Sequence, residues 1–262
     1  MPAARIEPQF VERVWGSLHL EPWFRDASAK TGEVWFPAGR LLIKFLFTTE
    51  PLSVQVHPGD EYALHHHGCA GKTEMWHVLE AAPGARIAAG FARAVTREQA
   101  HAAALDGSIE EMLGWHEAHP GDTFLTRAGM VHALGAGLVV CEIQQTSDIT
   151  YRLYDYRREP ARELHLEHGF AVADLGPHPG RAAAERIEPE AERLAACEYF
   201  VTERWELASP RTWEREAVLI ALAGGGLIDG QPFKRGEVWQ APAGARVEPG
   251  GGRAVLLRTY EP

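Results

Sequence analysis

A twelve-residue element occurs twice in this chain. Residues 121–132 (GDTFLTRAGMVH) align without gaps with residues 236–247 (GEVWQAPAGARV), sharing a glycine, an acid, an aromatic residue and an Ala-Gly pair. Glycine-bounded β elements that recur along a chain are typical of one supersecondary unit used twice. The repeat therefore predicts two related β-barrels or β-sandwiches. Its last position is His132 in the first copy and Val247 in the second, so only the first copy keeps a possible metal ligand.

Residues 52–57 (LSVQVH) alternate strictly between apolar and polar side chains. A period of two predicts a half-buried strand whose side chains point to opposite faces in turn. The polar face then carries a hydroxyl, an amide and an imidazole, from Ser53, Gln55 and His57. This combination indicates a binding surface and not merely a strand that covers a core.

Other apolar or alternating runs predict further strands. They lie at residues 40–48, 72–80, 85–91, 122–126, 138–145, 148–156, 199–207 and 217–223. Residues 96–114 have helical spacing, with Thr96 as a possible cap, and predict one or two short helices inserted between strands. Residues 157–189 are polar and contain several prolines, which predicts a connector with limited regular structure. The three consecutive histidines at 65–67 are predicted to lie in a solvated loop.

The composition excludes several classes of protein. A formal net charge of −10 argues against nucleic acid or an anionic membrane as the partner. An anionic substrate would therefore need a binding site that is positively charged, in contrast to the acidic surface around it. The three cysteines have no Cys-x-x-Cys spacing, which favours a reducing compartment over disulfides or a thiolate zinc site. Residues 1–10 lack an apolar signal core and no run reaches the ~18 apolar residues of a membrane span, so we expect a cytoplasmic location.

Four residues predicted to share inward strand faces offer nitrogen and oxygen ligands without sulfur: Gln55, His57, Glu74 and His132. Such a set suits zinc, manganese or ferrous iron, with one or more positions open to substrate. The competing interpretation is coincidence, because the chain has 13 histidines. The shared placement of all four residues favours a metal pocket.

Charged residues near this set indicate an anionic substrate. Lys72 lies two residues before Glu74, so both are expected on one face of the same strand, although a lysine at a strand entrance is usually a surface residue. Asp148 and Arg152 lie in a polar, strand-like segment at residues 142–156. An arginine offers a planar fork for phosphate or carboxylate, and the alternative here is a structural Asp148–Arg152 ion pair.

Four motifs in this order resemble the type I phosphomannose isomerases, the zinc-dependent mannose-6-phosphate isomerases of the cupin superfamily. They are LSVQVHP at 52–58, GKTEMW at 71–76, AGMVH at 128–132 and QTSDITYRLYDY at 145–156. They cover roughly the N-terminal 60% of the chain. The tyrosine-rich last motif is similar to that of the shorter bacterial branch.

The resemblance implies a mainly β, double-cupin fold of two β-sandwich or jelly-roll barrels with a small helical insertion in the first. Residues 1–170 would be the metal-containing catalytic domain with the insertion at about 96–114, and residues 171–262 a connector and a metal-free cupin-like domain. It implies one zinc ion per chain, held by Gln55, His57, Glu74 and His132. A monomer or homodimer is expected.

The resemblance also assigns roles to the charged residues. Arg152, Asp148 and Lys72 would be catalytic, and the substrate would contact Ser53, Lys72, Arg152 and Glu142. Asp148, Glu142 and a zinc-bound water stay open as candidates for the general base.

The function that follows is interconversion of mannose 6-phosphate and fructose 6-phosphate through an enediolate. One alternative is a metal cupin that acts on another sugar phosphate, or an iron-dependent oxygenase with a two-histidine, one-carboxylate site. Another is a non-catalytic sugar-binding cupin. Metal analysis and a turnover assay separate the three.

Overall fold

A computed structural model describes residues 2–262 of the chain, and β-strands make up most of its regular structure. In chain order the strands are β1 (Ala4–Ile6), β2 (Gln9–Ser17), β3 (Thr31–Ala38), β4 (Leu41–Thr48), β5 (Val54–Val56), β6 (Glu74–Ala81), β7 (Arg86–Phe91), β8 (Leu113–Glu117), β9 (Thr123–Thr126), β10 (His132–Leu134), β11 (Leu138–Gln145), β12 (Tyr151–Tyr154), β13 (Glu185–Glu188), β14 (Ala191–Ala196), β15 (Val201–Leu207), β16 (Arg211–Thr212), β17 (Ala217–Ala223), β18 (Gly225–Ile228), β19 (Gln231–Lys234), β20 (Val238–Ala241), β21 (Arg246–Pro249) and β22 (Ala254–Tyr260). The helices are α1 (Asp60–His67), α2 (Arg97–Asp106), α3 (Ile109–Met112) and α4 (Leu166–Val172). Within this part of the chain no helix is long and apolar enough to cross a membrane.

The strands form two β-sandwiches that match strand for strand. The first pairs a six-stranded sheet, β2-β3-β4-β11-β6-β9, with a sheet of order β12-β5-β10-β7-β8. The second has the equivalent orders β13-β14-β15-β22-β17-β20 and β16-β21-β18-β19. Each sandwich adds one strand of its own, which is β12 in the first and the edge strand β1 in the second. The fold is the predicted double cupin.

The repeated sequence element forms the same two strands in both sandwiches, β9 and β10 in the first and β20 and β21 in the second. In each copy the first strand belongs to the larger sheet and the second strand to the facing sheet. Four of its glycines have a positive φ, at 94° and 82° for Gly121 and Gly236 and at 88° and 86° for Gly129 and Gly244. Residues with a side chain rarely adopt this conformation, which explains why the glycines recur in both copies. The repeat therefore marks a shared backbone path.

The two large sheets pack face to face. Ile43, Phe45 and Phe47 on β4 contact a core that includes Val218 and Leu257 of the second sandwich. Every residue of β4 is buried, because its other face points into the first sandwich. A strand buried on both faces is expected to be nearly all apolar, so the single lysine in this strand needs a functional or structural explanation.

The helical insertion occurs as predicted. Thr96 and Gln99 form a capping box at the start of α2, in which Gln99 N donates to Thr96 Oγ1 at 3.2 Å and Thr96 N donates to Gln99 Oε1 at 2.9 Å. The short helix α3 follows after Gly107. The predicted boundary at residue 170 stays a prediction, although β1 at the N-terminus pairs with β20 of the second sandwich.

The prediction of a loop at residues 65–67 is wrong, because the three histidines form the last turn of α1. Asp60 and Glu61 stabilise the first turn of this helix through its dipole, and Gly68 ends it in the left-handed conformation. The side chains are largely exposed, and none of the three belongs to the metal-ligand group. The connector also contains a helix, α4, that the sequence patterns did not predict.

Arg258 and Glu203 form a buried ion pair inside the second sandwich, with Arg258 Nη1 3.0 Å from Glu203 Oε2. Tyr260 Oη and Trp205 Nε1 also donate to Glu203, at 2.8 and 2.9 Å. We expect Arg258→Met to lower the free energy of unfolding by about 3–5 kcal/mol, because it leaves the Glu203 carboxylate buried without its charge partner. Urea unfolding measures this change. A loss below about 1 kcal/mol, as for surface pairs, would contradict it, and the double variant Arg258→Met, Glu203→Leu should recover stability.

Candidate active site

Strands from both sheets of the first sandwich bring the predicted site residues together. His132 lies opposite Gln55 on the neighbouring strand, and Arg152 lies opposite Gln55 on the other side. Glu74 comes from the facing six-stranded sheet, as the first residue of β6. The residues therefore meet between the two sheets. The polar face of β5 points into this space and not to solvent, so the strand is more deeply buried than the alternation predicted.

Three of the predicted ligands form a compact, fully buried group. The candidate ligand atoms of His57, Glu74 and His132 all lie within 4.8 Å of one another. Glu74 Oε1 is 3.5 Å from His57 Nε2 and 3.4 Å from His132 Nε2. His57 Nε2 and Glu74 Oε1 are buried and have no hydrogen-bond partner. Buried polar atoms are normally satisfied, so this group fits a metal ion bound at its centre.

Backbone carbonyls fix the orientation of both imidazoles. His57 Nδ1 lies 2.8 Å from the carbonyl oxygen of Ile149, and His132 Nδ1 lies 2.8 Å from that of Met130. A carbonyl only accepts, so each Nδ1 carries the hydrogen and each Nε2 presents its lone pair to the pocket. Burial lowers the pKa of His57, and it lowers the pKa of His132 to about 3. Both rings are therefore neutral, as metal coordination through Nε2 requires.

Lys72 supports the charge of Glu74. Its Nζ lies 3.0 Å from Glu74 Oε2, and both side chains are buried. Burial alone would raise the pKa of Glu74, but the positive charge of Lys72 outweighs it and holds that pKa well below its usual range. Burial alone would lower the pKa of Lys72, but the carboxylates of Glu74, Glu142 and Asp148 outweigh it and raise that pKa, so Lys72 is positively charged. The alternative of a surface lysine is therefore wrong.

Gln55 lies beside the three-residue group. Its Nε2 is 3.2 Å from His132 Nε2, and its Oε1 accepts from Ser53 Oγ at 3.1 Å. Reversing the amide would present Oε1 to the same centre, and the Ser53 hydroxyl can then accept from the amide nitrogen. The role of Gln55 as a fourth ligand stays a prediction.

The site contains a buried lysine that the sequence patterns did not single out. Lys44 Nζ lies 3.3 Å from Glu142 Oε1 and 3.4 Å from Asp148 Oδ1, and 4.7 Å from the centre of the Trp35 ring. A lone lysine in the apolar run of residues 41–47 was the signal that could have identified it. Asp148 contacts Lys44, and no Asp148–Arg152 ion pair forms among residues 2–262, so the ion-pair alternative is wrong.

Glu142 lies deep in the same cluster. Trp76 Nε1 donates to Glu142 Oε2 at 2.8 Å, and Glu142 Oε1 has no hydrogen-bond partner. Burial and the negative charge of Glu74 raise the pKa of Glu142. A carboxyl group with a raised pKa is suited to accept and return a proton near neutral pH.

A cavity of about 350 Å³ opens onto these residues. Five cationic side chains and three carboxylates line it. The carboxylates are those of Glu33, Glu142 and Asp148, and the cations are Arg13, Lys44, Lys72, Arg152 and Arg162. Ser53 and Gln55 also line it. The cavity is therefore a cationic region in a chain of net charge −10, as an anionic substrate requires.

The chain is similar to known mannose-6-phosphate isomerases in both sequence and structure. Mannose-6-phosphate isomerase ManA of Bacillus subtilis is 32% identical, over 91% of this chain and 92% of that protein. The crystal structure of mannose 6-phosphate isomerase from Bacillus subtilis has a TM-score of 0.89 at 24% identity, covering 99% of this chain and 100% of that one. A zinc-bound mannose 6-phosphate isomerase has a TM-score of 0.75 at 14% identity, covering all of both chains. No protein-family model matches the chain.

The two sandwiches match each other, and among residues 2–262 only the first contains a group of histidines and a carboxylate that could hold a metal. This arrangement defines a double cupin with one candidate metal site. The level of identity to ManA over nearly the whole length makes the family specific. The chain belongs to the mannose-6-phosphate isomerase family.

Proposed function

We propose that this protein interconverts mannose 6-phosphate and fructose 6-phosphate. The observation that carries the proposal is the buried His57–Glu74–His132 group beside a cationic cavity in a member of this family. The cavity volume of about 350 Å³ is within the range of small-molecule sites. A sugar phosphate supplies the anionic group that the cationic lining favours.

We propose zinc as the metal, one ion per chain, held by His57, Glu74 and His132 with Gln55 as the fourth ligand. Neutral imidazoles and a carboxylate are common zinc ligands, and a zinc-bound neighbour has the same fold. When bound, zinc would supply Lewis acidity that stabilises negative charge developing on the sugar. Lys72 keeps Glu74 ionised as a ligand.

The reaction moves hydrogens between two adjacent carbons of the open-chain sugar. The proton on C2 of the aldose leaves and a proton is delivered to C1, while the hydroxyl proton on O2 passes to O1, through an enediolate. We assign the carbon proton transfer to Glu142, because it lines the cavity, is buried, and its Oε1 forms an ion pair with Lys44 but accepts no hydrogen bond. Lys44, 3.3 Å from its carboxylate, stabilises the ionised form of Glu142 after the proton leaves it.

We assign the substrate phosphate to Arg152, Lys72 and Ser53, which all line the cavity. Arg152 Nε is buried without a partner, and among the described residues no carboxylate forms an ion pair with its guanidinium. It is thus available for an anion, whereas Arg162 and Arg158 are both paired with Asp155. Holding the phosphate positions the reacting carbons at the far end of the sugar.

A coupled assay on purified, zinc-loaded protein tests the function. We expect turnover of mannose 6-phosphate and fructose 6-phosphate, and loss of turnover after dialysis against a chelator with recovery on adding zinc. No turnover of either sugar would refute the isomerase. Iron in the protein as isolated, with oxygen uptake, would support the oxygenase alternative, and saturable binding without turnover would support a sugar-binding cupin.

The monomeric or homodimeric state and the cytoplasmic location stay predictions from the sequence. Sedimentation of the zinc-loaded protein would measure the first, and fractionation of the source cells the second.

A further inference from the structure

A short segment before α4 holds Arg152 by three hydrogen bonds. Arg152 N donates to His165 Nδ1 at 3.1 Å, and His165 N donates to the carbonyl oxygen of Arg152 at 2.8 Å. Arg152 Nη1 donates to the carbonyl oxygen of Glu163 at 2.7 Å. Both the backbone and the guanidinium of Arg152 are therefore positioned by residues 163–165.

The first of these bonds requires a neutral imidazole. A backbone N–H can only donate, so His165 Nδ1 must accept and the ring hydrogen must lie on Nε2. Burial and the positive charge of Arg152 lower the pKa of His165. The titratable groups that face it are Arg152 and Tyr151 on β12, Glu163 in the preceding segment and His168 on α4. Protonation would turn Nδ1 into a donor and remove the bond.

The position of Arg152 matters for the site because of its register. Arg152 lies directly opposite Gln55 on β5, and Gln55 lies opposite His132 on β10. The helix α4 packs on β12 and β5, so His165 is attached to the outer side of the same sheet. A shift of the Arg152 backbone would therefore change the distance between its guanidinium and the proposed metal ligands.

We propose that His165 is a positioning residue for Arg152, whose neutral imidazole aims the guanidinium at the substrate phosphate. The inference rests on the proposed function and adds a control of the same site by pH. Only neutral His165 accepts the hydrogen bond from Arg152 N. The contribution of this bond to kcat/KM is therefore present above the pKa of His165 and is lost as pH falls through that pKa. Because that pKa lies below the ordinary value of about 6.5, the loss falls on the acid side of the pH profile.

Two substitutions separate the hydrogen bond from the titration. His165→Leu removes the acceptor, and we expect kcat/KM for mannose 6-phosphate to fall by about three- to tenfold at neutral pH. His165→Asn can place an amide oxygen where Nδ1 lies but takes up no proton. We expect near wild-type kcat/KM for this variant at neutral pH, with an acid limb that begins at lower pH than in the wild type.

His168→Asn is the matched control. His168 lies on α4 and its Nδ1 is bonded to Tyr62 Oη at 2.9 Å, with no contact to Arg152. We expect its kcat/KM at neutral pH to match that of the wild type. Because the charge of His168 lowers the pKa of His165, its removal should move the acid limb, if at all, to higher pH, opposite to the shift expected for His165→Asn. Zinc content, measured by atomic emission, should stay at the wild-type value in all three variants, since His165 touches none of the proposed ligands.

The outcomes that overturn the inference are distinct from those that overturn the function. Wild-type kcat/KM in His165→Leu, or an acid limb in His165→Asn equal to that of the wild type, refutes the positioning role. If His165→Leu unfolds or loses zinc, the pH profile of His165→Asn alone decides. No turnover by the wild type, or full activity of Arg152→Ala, refutes the proposed function or the role of Arg152, and the inference with it.

Discussion

Replacing Glu74 with glutamine is expected to remove both the bound metal and the isomerase activity. The substitution keeps the shape of the side chain but removes the only negative charge in the group formed by His57, Glu74 and His132. It also leaves Lys72, 3.0 Å away, as a buried cation without its nearest partner. We expect zinc to fall to a trace after gel filtration, and kcat/KM for mannose 6-phosphate to fall by about 10³-fold or more. Metal analysis and the coupled assay on one sample measure both.

Glu142→Gln is the matched control for this prediction. It removes a carboxylate from the same cavity, and Glu142 contacts Trp76 and Lys44 and neither histidine of the metal group. We expect this variant to keep its zinc and to lose turnover, because it has lost the proposed proton carrier. Wild-type zinc content in Glu74→Gln would refute the ligand assignment. Loss of zinc in Glu142→Gln would show that removing any carboxylate empties the site.

The sequence patterns predicted the site through short-range geometry. Alternation places Ser53, Gln55 and His57 on one face, and the two-residue spacing places Lys72 beside Glu74. Ser53 and Gln55 both line the cavity and Lys72 contacts Glu74, although the strands are shorter than predicted: β5 contains only Gln55 of the first three, and Lys72 lies before β6. The helix at residues 96–114 was predicted for the same reason, since a capping box is a local interaction.

What could not be predicted depends on long-range register. Lys44 is recognisable as an odd residue in an apolar strand, but its partner Glu142 follows only from the pairing of β4 with β11. His165 lies in a connector, and its contact with Arg152 has no periodic pattern. The helical state of residues 65–67 was missed because three histidines give no apolar periodicity, and the helix is set by its ends.

The second sandwich has the same fold without the proposed metal ligands. By strand register, Arg211 and Val247 occupy the positions of Gln55 and His132. The Lys44–Glu142 pair has an equivalent on β15 and β22 with the charges reversed, Glu203 opposite Arg258. The fold therefore keeps a buried ion pair at this position in both sandwiches, and only the first combines it with a metal-ligand set.

Arg152→Ala is expected to abolish most of the activity while leaving the metal in place. Arg152 contacts Glu163 and His165 and none of His57, Glu74 or His132, so the ligand group loses no partner. The variant does lose a cation that lines the cavity and whose Nε is buried without a hydrogen-bond partner. If this cation holds the phosphate, its removal lowers kcat/KM for mannose 6-phosphate by about 10²-fold or more, because a misplaced substrate no longer presents C1 and C2 to the proton carrier.

Inorganic phosphate is the probe that tests this assignment. As a competitive inhibitor it should bind the wild type and lose most of its affinity in Arg152→Ala, whereas a purely structural arginine would lower kcat and leave the inhibition constant unchanged. Arg157→Ala removes a guanidinium that contacts the carbonyl of Asp106 and does not line the cavity, so it should leave both values within about twofold of the wild type. Loss of zinc in Arg152→Ala, or unchanged inhibition by phosphate, would contradict the assignment of Arg152 to the substrate phosphate. Arg152 would then have a structural role, holding β12 against β5, the strand that carries Gln55.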